Sequence, residues 1–171
     1  VGSALFYLLG MPLFDSVNHC MAAMATGGFS TKNNNLAYYN SPWIEGAAII
    51  LMLLAATNFG IHYEMLAKRK NPLHNPEVKA MLAIAAVFVS IITGSSFIVY
   101  RMRLTDAWRF SLFESVSALS TTGFTASTLA NTNQLAKWLL TILMIIGAGY
   151  GSTGGAIKIL RLVVVVKYLW W

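Results

Sequence analysis

Charge is the scarcest property of this chain. Charged side chains make up 11% of its 171 residues, against roughly 25% in a soluble domain. Acids are rarest of all, six against twelve Lys and Arg. That shortage excludes an ordinary water-soluble domain and a disordered one. Cysteine is nearly absent as well. Cys20 is the only one, which excludes an intrachain disulfide and a multi-cysteine zinc site. No secretory signal is visible in these residues, whose first stretch has no basic run and no clear cleavage site. What fills the chain instead is apolar: 57% hydrophobic residues and a mean hydropathy of +0.62.

Four uncharged stretches stand out, at residues 1–14, 46–63, 80–100 and 138–157. The last three reach the length of a transmembrane helix, which needs about 20 apolar residues. The first is short and reads as the tail of a span. Both chain ends are apolar, and the first residue is Val1 rather than Met. They read as cuts, so the expectation is a piece of a longer membrane protein.

The net charge of +6 would in a polar chain suggest nucleic acid. Here it reads as the Lys/Arg excess of cytoplasmic loops. Lys68, Arg69, Lys70 and Lys79 flank one loop, and Lys158, Arg161 and Lys167 follow the last apolar core. These seven face only Glu64 and Glu77 if residues 12–40 and 104–136 each dip into the bilayer and return to their starting side. The other side carries Lys32, Arg101, Arg103, Arg109 and Lys137 with Asp15, Glu45, Asp106 and Glu114. The first side is therefore expected to be cytoplasmic. Trp43 and Trp138 start equivalent helices on the outer side as interfacial anchors, a reading that also fits Tyr168, Trp170 and Trp171.

The two dipping segments are copies of each other. An ungapped shift of 95 residues places Ser16, Ala23, Thr26, Gly28 and Phe29 on Ser111, Ala118, Thr121, Gly123 and Phe124. Trp43, Ile50 and Gly60 then fall on Trp138, Ile145 and Gly155. Each copy reads as an amphipathic helix, a Thr/Gly knot and a spanning helix. Repeated halves are the usual construction of transport proteins. The knots are residues 25–30, Ala-Thr-Gly-Gly-Phe-Ser, and 120–125, Ser-Thr-Thr-Gly-Phe-Thr. Neither holds an acid, a base or a metal-ligand cluster. They offer carbonyls, hydroxyls and a glycine free to take unusual backbone angles. One such knot would read as a turn. Two, each after a helix over about 14–24 or 107–119, suit a monovalent cation whose water shell is replaced by carbonyls. The negative C-terminal ends of those helices would point at it.

Residues 147–155 hold five glycines in nine positions. Each costs a helix about 1 kcal/mol relative to Ala, so the helix is expected to break there, with its freed polar groups lining a wet cavity. Residues 149–154 also match G-x-G-x-x-G. A dinucleotide site would need a preceding strand, and an apolar helix precedes the motif instead. The Gly149-Tyr150-Gly151 triplet lacks a separate re-entrant helix before it. His62 and Glu64 form an H-x-E pair without a third ligand nearby, and read as solvated interface residues.

The two knots resemble the filter loops of the Trk/Ktr/HKT superfamily of potassium transporters. Residues 146–158, from Ile146 to Lys158, resemble the glycine-rich break in the third inner helix of bacterial Trk and Ktr channel subunits. Residues 58–62 resemble the equivalent point one repeat earlier. The resemblance implies an all-α polytopic membrane protein, built of the helix–pore-loop–helix units of a pseudo-fourfold cation channel. This chain would supply the second and third of four repeats: 1–66, with pore helix 14–24, filter 25–30 and inner helix 41–66; a cytoplasmic basic loop, 67–79; and 80–171, with outer helix 80–100, pore helix 107–119, filter 120–125 and inner helix 136–171 broken at 147–155.

Carried over residue by residue, Gly28 and Gly123 would be the filter glycines. The carbonyls of Ala25, Thr26 and Gly27 and of Ser120, Thr121 and Thr122 would face the ion. Gly147, Gly149, Gly151, Ser152, Thr153, Gly154 and Gly155 would form a gate loop, with Lys158 either placing positive charge beneath the pore or reaching to the interface. Ala148 and Tyr150 depart from the family's small residues, and Tyr150 adds bulk to the loop. The resemblance further implies K+ as the transported ion, no covalently bound cofactor, a multi-pass protein of a bacterial or archaeal plasma membrane in contact with lipid, a homodimer, and a cytosolic nucleotide-binding regulatory subunit. Asp15 reads as a helix cap or dipole partner. His19 and Glu114, at matched positions, either tune cation entry or tie their helices to a neighbouring loop. A secondary transporter binding a small solute at the broken helix is the competing function. A membrane hydrolase built on Ser152 or His62 has no base at readable spacing.

Overall fold

The structure is a computed structural model that describes residues 1–69, 71–101, 103–126 and 133–170. Lys70 of the basic loop and Trp171 of the terminal aromatic group lie outside the described residues. The first unit contains α1 (Gly2–Leu8), α2 (Leu13–Met24), α3 (Pro42–Ala56) and α4 (Phe59–Lys68). The second contains α5 (Pro76–Tyr100), α6 (Leu104–Leu119), α7 (Gln134–Ile145) and α8 (Ile159–Leu169). Among the described residues the only strands are two-residue pieces, β1 (Ile146–Gly147) and β2 (Ile157–Lys158), paired in parallel.

Asparagine starts several of these helices. The side chains of Asn58, Asn75 and Asn133 accept from the backbone N–H groups of Gly60, Glu77 and Leu135, satisfying donors that have no partner inside the helix. Pro42 and Pro76 occupy the first turns of α3 and α5, where a missing N–H does no harm. Only α5 is by itself long and apolar enough among the described residues to cross a bilayer.

The inner helix expected as one piece over 41–66 is two. α3 and α4 meet at a 97° bend. Thr57 is extended (ψ 145°) and Asn58 caps the second piece. Unbroken hydropathy across 46–63 conceals this bend, because apolar composition does not report backbone angles. Residues 1–14, expected as the tail of a span, hold the short helix α1, closed at Gly10 (φ +96°) before Pro12 turns the chain into α2.

Two apolar cores result. Phe6, Leu36, Ile44, Met52 and Ala23 form the first, and it takes in Phe113 and Phe124 from the second unit. Met81, Ile92, Leu119, Leu140, Leu143 and Ile159 form the second. The units are also joined by charge. Arg109 of α6 grips Glu45 of α3 with two bonds, Nε to Oε2 at 2.6 Å and Nη2 to Oε1 at 2.7 Å. Glu45 is buried, so removing its partner strands a carboxylate. Arg109→Met is expected to destabilise the full-length protein by about 3 kcal/mol or more, and adding Glu45→Leu should recover part of the loss. Thermal unfolding of the three proteins in one detergent checks this.

Candidate functional site

Both predicted knots begin as helix ends of the same kind. After α2, Thr26 N–H donates to Ala23 and Gly27 N–H to Ala22. After α6, Thr121 N–H donates to Ala118 and Thr122 N–H to Ser117. This paired bonding closes a helix around one left-handed residue, a position usually given to glycine. Here it is threonine both times, Thr26 at φ +50° and Thr121 at φ +58°. A β-branched residue in that region is a true outlier, and such strain, of order 1–3 kcal/mol, persists only where the surroundings impose it. Two residues on, Gly28 (φ +68°) and Gly123 (φ +82°) are also left-handed.

The surroundings do impose it. A Cβ on Gly28 would overlap the Thr122 carbonyl oxygen, so the two knots touch backbone to backbone. The chain after each knot is tied back. Asn35 Nδ2 donates to the Gly28 carbonyl at 3.2 Å, and Ser117 donates to the Phe124 carbonyl at 2.6 Å. The Ala37 amide donates to Thr125 across the units. His19 donates from Nδ1 to the Asp15 carbonyl, leaving Nε2 to accept the Ser30 hydroxyl at 2.8 Å. Glu114, its counterpart, accepts the Ala126 amide at 3.1 Å. His19 therefore anchors the last residue of its knot, and Glu114 the first residue after its own.

Asp15 is not the cap of α2, a position held by Pro12, but stands in the first turn, where its charge suits the helix dipole. It accepts from Thr31 and Tyr39, each at 2.6 Å, and pairs with Lys32 at 3.2 Å. Outside the helices apolar enough to span a membrane, the Thr31 and Tyr39 hydrogen bonds hold this carboxyl at about 2, well below its usual range. Burial, with the Asp15 bond, pushes the Tyr39 hydroxyl up. The cluster fixes the loop between the first knot and α3.

The glycine-rich loop lies against both helix ends. Its neck is the β1–β2 pair, Ile146 beside Ile157 and Gly147 beside Lys158. The Thr153 hydroxyl lies within hydrogen-bonding distance of the carbonyls of Met24 (3.1 Å), at the end of α2, and Ala55 (3.2 Å), at the end of α3. Ala148 N–H donates to Leu119, the last residue of α6, at 3.0 Å. Met24 and Leu119 are equivalent under the 95-residue shift. The loop thus satisfies the same carbonyl in both copies, one by a hydroxyl and one by an amide. Gly155 N–H donates to the Thr121 hydroxyl at 2.8 Å, which gives that left-handed threonine a use glycine lacks.

The loop also fills the α3–α4 bend. Gly149 N–H donates to Ala56 at 2.8 Å, and Phe59 N–H donates to Gly151 at 3.3 Å. Ser152 folds back on the Gly149 carbonyl at 2.6 Å. Lys158 does not reach for the interface: its ammonium turns into the loop, onto the Gly154 carbonyl and towards Ser152. Ala25, Thr26, Gly27 and Gly28 thus adjoin Ser120, Thr121, Thr122 and Gly123, with residues 147–155 packed against both. His62 stands apart and donates to the Leu54 carbonyl across the bend, at 2.9 Å. Among the described residues no three His, Cys, Asp or Glu side chains gather as a metal site.

The family model for TrkH, a cation transport protein, matches residues 5–171. The chain belongs to the TrkH family. It is 31% identical over 165 residues to the Trk system potassium uptake protein TrkH of Salmonella typhimurium, covering 94% of this chain and 34% of that protein. It is 34% identical over 173 residues to an uncharacterized cation transporter of Methanocaldococcus jannaschii, covering 99% and 33%. The crystal structure of the potassium transporter TrkH from Vibrio parahaemolyticus matches with a TM-score of 0.91 at 28% identity, over 96% of this chain and 36% of that one. The chain therefore spans about a third of the length of these TrkH relatives. The all-α membrane fold expected from the sequence is the TrkH fold.

The knots make a paired prediction. Gly123 has open space where a Cβ would stand, whereas Gly28 has the Thr122 carbonyl. Gly123→Ala is expected to lose only the left-handed preference, about 1–2 kcal/mol. Gly28→Ala must also part the two knots and should lower the unfolding midpoint of the full-length protein clearly further.

Proposed function

We propose that this chain forms part of a potassium pathway through a cell membrane. The filter would use the carbonyls of Ala25, Thr26 and Gly27 and of Ser120, Thr121 and Thr122, with Gly28 and Gly123 permitting their turns. Backbone oxygens in a row replace the hydration shell of a monovalent cation. α2 and α6 direct their negative ends towards the same place. Residues 147–155 would be the gate, with the contacts to Met24, Leu119 and Thr121 as its closed arrangement. Opening then requires Thr153, Ala148 and Gly155 to leave Met24, Leu119 and Thr121. Lys158 holds the loop's own turn through the Gly154 carbonyl and travels with it.

One observation carries this reading: a strained threonine turn occurs twice, and a broken-helix loop bonds to both copies. Lone turns need no such duplication. The names of the relatives favour potassium as the ion. The resemblance of the knots and the glycine-rich loop to the Trk/Ktr/HKT superfamily further implies a homodimer in a bacterial or archaeal plasma membrane, under a cytosolic nucleotide-binding subunit that would meet the basic loop 67–79 and the end beyond Lys158.

Rubidium flux into liposomes holding the full-length protein tests the reading, with Gly123→Asp beside it. Wild type should carry rubidium in competition with potassium, and the variant should lose flux or its preference over sodium. Folded wild-type protein that passes no monovalent cation would overturn the proposal and leave the broken helix as a candidate solute site.

A further inference from the structure

Glu77 is a buried carboxylate that neither the knots nor the expected path employs. It is the second residue of α5 and is 6% exposed. Its Oε1 accepts the backbone N–H of Tyr150 at 2.5 Å, across 73 residues of sequence. A Cβ on Gly149 would stand 3.4 Å from the same oxygen, so the carboxylate lies directly on the crest of the glycine-rich loop. The neighbouring crest groups are held by fixed backbone at the α3–α4 bend, Gly149 by Ala56 and Gly151 by Phe59. Among these crest contacts, Glu77 is the one made by a side chain from another element.

We propose that Glu77 is the latch of the loop, a positioning residue that holds residues 149–151 in the closed arrangement and sets how readily they leave it. The inference rests on the gate reading above. A hydrogen bond to an ionised acceptor is about twice as strong as a neutral one. When the crest departs, the buried carboxylate loses its donor and opposes the departure. Because Glu77 follows directly on residues 71–75, the latch also links the cytoplasmic loop to the gate. A displacement of the start of α5 would be felt first at the Tyr150 amide.

A plainly structural role is available to the same side chain. An acid in the first turn favours any helix through its dipole. Two variants separate the roles. Glu77→Asp keeps the charge at the helix start but is one methylene too short to reach Tyr150. Glu77→Gln loses the charge but keeps an oxygen that can accept the amide.

The experiment uses the full-length protein in liposomes without its regulator. It reads basal rubidium flux and, separately, amide hydrogen exchange of the peptide spanning 147–155. The latch predicts that Glu77→Asp raises basal flux about tenfold, the shift expected for one charge-assisted hydrogen bond, and speeds exchange in the loop. It predicts an unchanged rubidium-to-sodium ratio and a smaller effect for Glu77→Gln, which keeps the acceptor and loses only the share of the bond that the charge supplies. Wild-type behaviour of Glu77→Asp in both readouts, or a larger effect of Glu77→Gln, overturns the latch. A changed ion ratio overturns it too, since the residue would then act on the filter. If wild type carries no flux, the proposed function fails on its own, and exchange at 147–155 still decides whether Glu77 holds the loop.

Discussion

Backbone polar groups at membrane depth must find partners inside the protein, and the architecture follows from how this chain meets that demand. Four helix ends meet at one place: those of α2 and α6, and the two sides of the α3–α4 bend. All four are answered by residues 148–153, through Met24 and Leu119, and through Ala55, Ala56 and Phe59. The glycine-rich loop is itself a broken helix with groups to satisfy. Each interruption supplies partners for the others. Moving the loop therefore releases several helix ends at once, which favours two discrete positions over a continuum.

The left-handed threonines belong to the same economy of contacts. Glycine would relieve the strain at residues 26 and 121. It would also remove the Thr121 hydroxyl that accepts Gly155 N–H, and the Thr26 hydroxyl that bonds the Ala25 carbonyl at 2.8 Å. The strain is kept where a hydroxyl is needed beside an exposed turn of backbone.

The repeat, the two knots and the glycine-rich break were legible because each is local: a matched spacing, a cluster of small residues, a run of apolar ones. His19 and Glu114 were legible as counterparts for the same reason. The α3–α4 bend was not, since Thr57-Asn58 carries no glycine or proline and its stability comes from a loop almost a hundred residues away. Glu45, Arg109 and Glu77 read only as charges on one side or the other. Their partners stand 64 and 73 residues distant, and no spacing rule joins them. Asp15 was placed at its helix start, but its three partners in the following loop could not be read from composition.

Phe29 and Phe124 occupy the same position in the two copies, yet Phe29 is 82% exposed and Phe124 is 0%. Phe124 is buried because the second unit inserts it into the core of the first, with its ring centroid 5.9 Å from that of His19. The contact is head-to-tail: what one unit offers is not what the other receives. Such an interface has no two-fold axis to complete it, and repetition of the same step either closes a ring or extends without end.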